Sequence, residues 1–148
     1  MPLATDPSYG ASLSIVEDFV NGKVPMCPDM NTPAVDVRDV AFMHVAAIDS
    51  TDVIGERVVA NSGPITFIDV ARTLRDAHPE RKIPVRAAPD WLVKAVGRFD
   101  PFMKVIAKNL GRNGDVDGTA AEKLFDFTYI PTEDALLASS EYILAKGT

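Results

Sequence analysis

Cysteine occurs once and histidine twice in 148 residues, and nowhere do about 18 apolar residues run without interruption. The lone thiol, Cys27, excludes an internal disulfide. Its separation from His44 and His78 gives no spacing typical of a metal site, so no metal is expected and a reduced, cytoplasmic setting fits. Cations are also short: 15 Lys and Arg face 21 Asp and Glu, a formal charge of -6. Phosphate-backbone binding depends on clustered Lys and Arg, which argues against nucleic acid as a partner. The opening M-P-L-A-T-D-P has neither a basic region nor a long apolar run, so neither export nor a membrane partner is expected.

What is present reads as one globular domain over residues 1 to 148. Apolar residues make up 47% and charged residues 24%, the balance of a folded soluble chain and not of a disordered one. At this length roughly 70% of the unfolded chain's surface should be buried.

Along the chain, Ser12 or Ser14 is positioned to cap a helix with apolar Leu13, Val16, Phe19 and Val20, and Gly22 to end it. Prolines 25, 28 and 33 keep the next segment extended. Ala34 to Arg38 then alternates as a short strand, with Asp36 and Arg38 on its polar face. From Asp39, the expected N-cap, the period becomes helical: Val40, Met43, His44, Ala47 and Ile48 share one face.

A second strand is expected at Arg57 to Ala60. N-S-G-P turns the chain into a helix opened by Thr66 and Asp69 as a capping box, with Ile65 and Val70 as its staple. K-I-P-V-R-A-A-P, with two prolines, suits an edge strand. Asp90 should cap the next helix, F-D-P-F should divide it in two, and a short helix near Thr119 to Phe125 precedes a last one opened by Pro131 and Thr132. The order of elements is α/β, but three or four short strands among about six helical pieces are too few for a self-sufficient dinucleotide-binding sheet. A cap or substrate lobe results.

Several constellations invite chemistry and favour plainer readings. The loop G-R-N-G-D-V-D-G, residues 111 to 118, follows a helix instead of a buried strand and carries two aspartates, so it reads as a turn and not as a phosphate cradle. Tyr142 and Lys146 stand one helical turn apart, as a proton-transferring pair would, but at the end of the last helix. His44 lies within an apolar pattern with no nucleophile beside it. Trp91, Phe99 and Phe102 either line an apolar pocket or fill a core. Asp36, Arg38 and Asp39 make a structural joint, two pairing and one capping.

P-L-A-T-D, S-L-S-I-V, N-G-K-V-P, V-D-V-R-D-V-A-F-M-H-V-A-A-I, G-E-R-V-V-A and K-I-P-V-R-A-A-P occur in that order. The series resembles the C-terminal half of extended short-chain dehydrogenase/reductases, and within them the NAD-dependent epimerase/dehydratase family of dihydroflavonol 4-reductase type. The likeness runs from Pro2 to about Gly147. It implies the substrate lobe of a Rossmann-type enzyme whose N-terminal domain, with the NAD or NADP site and the catalytic Ser and Tyr-x-x-x-Lys, would lie upstream of Met1. By the same resemblance Pro2, Leu3 and Ser12 would lie near the cofactor cleft, Trp91, Phe99 and Phe102 toward the substrate, and Asp36, Arg38 and Asp39 in the framework joining the lobes.

The function implied is the substrate-binding part of an NAD(P)-dependent oxidoreductase or epimerase-like protein acting on a carbonyl or alcohol group. No catalytic residue is expected in this chain, and no bound cofactor when it is alone. Its partners would be a small-molecule substrate and a separate Rossmann half or a second copy of itself. The alternative is a non-enzymatic binding module or truncated remnant of that family. Either reading implies marginal folding, with apolar surface left exposed.

Overall fold

The computed structural model describes residues 10–112, 114 and 116–146. Among these residues there are seven helices and one two-stranded ribbon: α1 Ala11–Val20, β1 Asn31–Ala34, α2 Val37–Asp49, β2 Gly63–Thr66, α3 Phe67–Ala77, α4 Asp90–Val96, α5 Pro101–Asn109, α6 Thr119–Phe125 and α7 Thr132–Lys146. The chain is thus more helical than the three or four strands expected from its sequence.

α1 buries Val16, Phe19 and Val20, the spacing read from the sequence, against α3 and α7. Its N-cap is Gly10 and not a serine; the Ser14 hydroxyl donates back to the Gly10 carbonyl (3.3 Å). Gly22, at φ +68°, lies just past the helix end, where a left-handed residue lets the chain reverse. α3 follows its sequence pattern closely. The Thr66 hydroxyl accepts from the Asp69 amide (3.1 Å) and donates to the Asp69 carboxylate (2.6 Å), while Val70, Ala71 and Leu74 are buried. Phe19 and Leu74 lie at the centre of this larger core, each contributing about 1.5–3 kcal/mol through burial.

The joint after β1 departs from expectation. The strand ends at Ala34, and Val37 and Arg38 are already helical. The cause is Asp36, whose carboxylate accepts from the Arg38 amide (2.8 Å) and holds the Arg38 guanidinium (2.9 and 2.7 Å). Asp36 is therefore the N-cap of α2. Asp39, expected there, is buried in the first turn and accepts from the Ile130 amide (3.0 Å), tying α2 to the segment before α7. His44 is likewise not in a buried face: it is exposed, with Nδ1 2.7 Å from the Val40 carbonyl, while Met43 turns inward. The outward side of α2 carries Val37, Ala41, Val45 and Ile48, with Ile48 79% exposed.

β1 and β2 pair antiparallel, with Asn31 opposite Thr66 and Pro33 opposite Pro64. The Phe67 amide donates to the Met30 carbonyl (3.3 Å). By strict alternation Thr32 and Ile65 then exchange ladder bonds, and the two prolines fall at positions whose N–H would point away. Neither proline costs the ribbon a bond.

Residues 57 to 60, expected as a strand, form no strand among the described residues. Among the described residues the amides of Arg57, Val58, Val59 and Ala60 meet no backbone acceptor. Of the expected edge strand only one parallel bridge forms, Cys27 to Ala87.

A second, smaller core joins Met43, Ala121 and Tyr129, with Val58 and Ala60 against it. The Tyr129 hydroxyl accepts from the Asn61 amide (3.3 Å) and lies 3.4 Å from both the Val59 and Gly118 carbonyls, to one of which its single proton goes. Asn61 is buried: its side-chain oxygen accepts from Ala34 (3.1 Å) and Gly63 (3.3 Å), and its amide nitrogen donates to the Val116 carbonyl. Gly118 backs directly onto it.

A methyl group at Gly118 would sit 2.0 Å from the Asn61 carbonyl oxygen. Gly118→Ala should therefore cost about 1–3 kcal/mol or more, read as a lowered melting temperature by circular dichroism. An unchanged melt would refute the packing described. Asp36 gives a pH test. Its hydrogen bonds to Arg38 hold its carboxyl below the ordinary 3.8, so its stabilisation is present above that value and lost as pH falls through the lower, folded-state value. Asp36→Asn should lose about 1 kcal/mol at neutral pH, and the gap in melting temperature from the parent should close in acid. A gap independent of pH would count against this cap.

Candidate functional site

Two breaks in regular structure build a concave site. After α1, Gly22 and prolines 25 and 28 carry the chain across the helix end in an extended path. After α4, Asp100 accepts from the Met103 amide (2.9 Å) and starts α5 at Pro101. Gly97 lets the two helices meet: a methyl group there would stand 3.0 Å from the Met103 carbonyl. Between these segments lies a cavity of about 350 Å³.

Its walls are apolar. Ile15 and Phe19 come from α1, Val24 to Met26 and Pro28 from the connecting segment, Phe67 from α3, Leu92, Val93 and Val96 from α4, and Met103 and Ile106 from α5. The Phe19 and Phe67 rings are 6.3 Å apart. Asp18 and Lys23 supply the charge, paired with each other at 3.2 Å and both largely exposed. Such a lining suits an uncharged ligand with an apolar body. A second depression, along Arg38, Pro131, Asp134 and Glu141, is shallower and more open.

Chemically reactive groups do not converge on the cavity. Cys27 is buried nearby, its Sγ 3.8 Å from the Pro84 carbonyl, and burial raises its pKa above the ordinary 9.0, so the thiol stays protonated. His78 meets Ser140 (2.9 Å), but the buried Ser140 hydroxyl already donates to Leu137 (2.8 Å) and is not poised as a nucleophile. Lys146 stands over the face of the Tyr142 ring, 5.2 Å from its centre. Among the described residues no three His, Cys, Asp or Glu gather where they could hold a metal.

The structure places the residues singled out from sequence as follows. Trp91 is 70% exposed and Phe99 86% exposed, and neither is a wall of the cavity; the Phe102 side chain lies outside the described residues. The wall comes from the same segment, one step round the helix: Leu92, Val93 and Val96. Their i, i+1, i+4 spacing was the available signal, and the aromatic ring of Trp91 diverted attention from it. Ser12 is exposed in the first turn of α1, and Pro2 and Leu3 lie outside the described residues. Asp36, Arg38 and Asp39 form the joint at the start of α2, not a wall of this cavity.

The described part of the glycine-rich turn does not fit a phosphate. The glycine-rich turn precedes α6, but the Asp117 carboxylate already takes the Thr119 amide (2.9 Å) and hydroxyl (2.8 Å), and the Gly118 position is filled by the Asn61 backbone. A phosphate would meet a carboxylate there.

No protein-family model matches the chain. Over 68 residues it is 37% identical to the ketoreductase AzaE of Aspergillus niger, a stretch covering 45% of this chain and 20% of that protein. Three solved structures share its fold. Gre2 of Candida albicans superposes with a TM-score of 0.66 at 26% identity over 98% of this chain, and its NADPH complex with 0.65 at 23%. Yeast methylglyoxal/isovaleraldehyde reductase Gre2 complexed with NADPH gives 0.62 at 20% identity over 92% of this chain. The chain has the fold of the C-terminal part of these reductases and spans only 36% to 40% of their length.

Proposed function

We propose that this chain is the substrate-binding part of an NAD(P)-dependent reductase of the extended short-chain type, serving a small uncharged carbonyl compound or the matching alcohol. The observation that carries the reading is the apolar cavity walled by α1, α4 and α5, with no reactive group and no free charge inside it. Binding is what such a site offers; proton transfer and the nicotinamide belong to another part of the assembly. NADPH in the solved relatives favours NADP over NAD, and the order of sequence motifs favours a dihydroflavonol 4-reductase type.

Two surfaces support a further nucleotide-binding part. The amides of residues 57 to 60 meet no backbone acceptor among the described residues and are free to join a sheet. The outward face of α2 presents Val37, Val45 and Ile48. The second reading, a binding module without turnover, is favoured for the isolated chain by the misfit of the 111–118 turn to a dinucleotide.

Two measurements test these readings. NADPH fluorescence titrated with the isolated chain should stay unchanged, and micromolar binding would overturn the assignment of the cofactor elsewhere. 3-Methylbutanol, an unreactive probe of the aliphatic carbonyl class, should shift the methyl resonances of Met103 and Ile106. Leu92→Trp, which fills the cavity, should weaken that binding about tenfold or more. Shifts confined to residues outside the cavity would refute the site.

A further inference from the structure

We propose that the α4–α5 hairpin docks this protein on an anionic lipid surface. The outer side of the hairpin reverses the character of the rest of the chain. Residues 90 to 112 hold five cations, Lys94, Arg98, Lys104, Lys108 and Arg112, against two carboxylates, Asp90 and Asp100. This is an excess of three positive charges in a chain whose formal charge is -6. Of the ten cations outside the hairpin, Lys23, Arg38, Arg72, Arg75 and Arg81 each have an ion-pair partner. Among the described residues Lys94, Arg98, Lys104 and Lys108 have none.

Between those cations stand large apolar side chains that the fold leaves in water. Trp91, Phe99 and Val105 are 70%, 86% and 59% exposed. Tryptophan at a polar–apolar boundary keeps its N–H wet while its ring leaves water, and lysine stems reach outward past an apolar surface to keep their charge hydrated. Exposed rings interleaved along the hairpin with cations that lack an ion pair match the interface of an anionic bilayer, where each added Lys or Arg strengthens attachment several-fold at moderate salt. Helices of seven and nine residues are far too short to cross a membrane, so the hairpin lies on the surface. The formal charge of the whole chain hides this local reversal, which is why the sequence alone argued against a membrane partner. Other residues of the same helices, Leu92, Val93, Val96, Met103 and Ile106, wall the cavity. The docking rests on surface charge and exposure, and stands whether or not the cavity binds a carbonyl compound.

Trp91 is the chain's single tryptophan and reports on the event directly. Vesicles of phosphatidylcholine with roughly one third phosphatidylserine should shift its emission to shorter wavelength and carry the protein down on sedimentation. Pure phosphatidylcholine should do neither, and about 1 M salt, where the screening length falls to about 3 Å, should reverse both. The double variant Lys94→Glu, Lys104→Glu changes two exposed positions, so its melting temperature should match the parent while the lipid concentration for half-binding rises at least about tenfold. The proposal fails if no shift occurs at saturating anionic lipid, if neutral vesicles act equally, or if the charge-reversed protein binds as well as the parent. It also fails if the emission is already blue without lipid and reddens on dilution, which would mean that a second copy of the chain covers this face.

Discussion

The buried amide of Asn61 fixes the middle of the molecule. Its side-chain oxygen holds the end of β1 and the start of β2 together through Ala34 and Gly63, its nitrogen reaches Val116, and its backbone meets the Tyr129 hydroxyl. A buried amide with all these groups matched is worth most as a geometric constraint, since leaving any one unpaired would cost about 1–3 kcal/mol. Around it the fold has little freedom. Gly118 must lack a side chain, α6 must begin where it does, and the smaller core closes over Tyr129, whose pKa burial raises above its ordinary 10.0. The larger core, centred on Phe19 and Leu74, hangs from the same ribbon through Ile65.

Much of this was legible in the sequence, where local rules and packing agree. Thr66, Asp69, Val70, Ala71 and Leu74 state both the cap and the buried stripe of α3, and the structure follows them. The start of α2 was misplaced because V-D-V-R-D offers two aspartates, either able to cap. The choice of Asp36 depends on a guanidinium that closes on its carboxylate and on an Ile130 amide that occupies Asp39 from 91 residues away. Trp91 and Phe99, the conspicuous side chains of this segment, are exposed, while Leu92, Val93 and Val96 of the same segment wall the cavity. Residues 57 to 60 carry the composition of a strand, yet strand pairing is a property of two segments, and the described residues contain only one.

The likeness to Gre2-type reductases and the unmatched surfaces describe the same circumstance from two sides. The chain superposes over nearly all its own length on two fifths of the larger fold. The outward apolar face of α2 and the amides of residues 57 to 60 are unmatched among the described residues. The apolar cavity differs from them in being enclosed by this chain's own helices, so its shape is set locally by Gly97 and the prolines of the connecting segment.

The paired prolines of the small ribbon have a consequence for solubility. Pro33 and Pro64 stand opposite one another at positions whose donors would face outward, so both outer edges lack an N–H at their middle. A third strand approaching from either side would find its register interrupted after a single bond. The ribbon is thereby closed to growth into a larger sheet, and fibril-like stacking through it is blocked by ring geometry and not by charge.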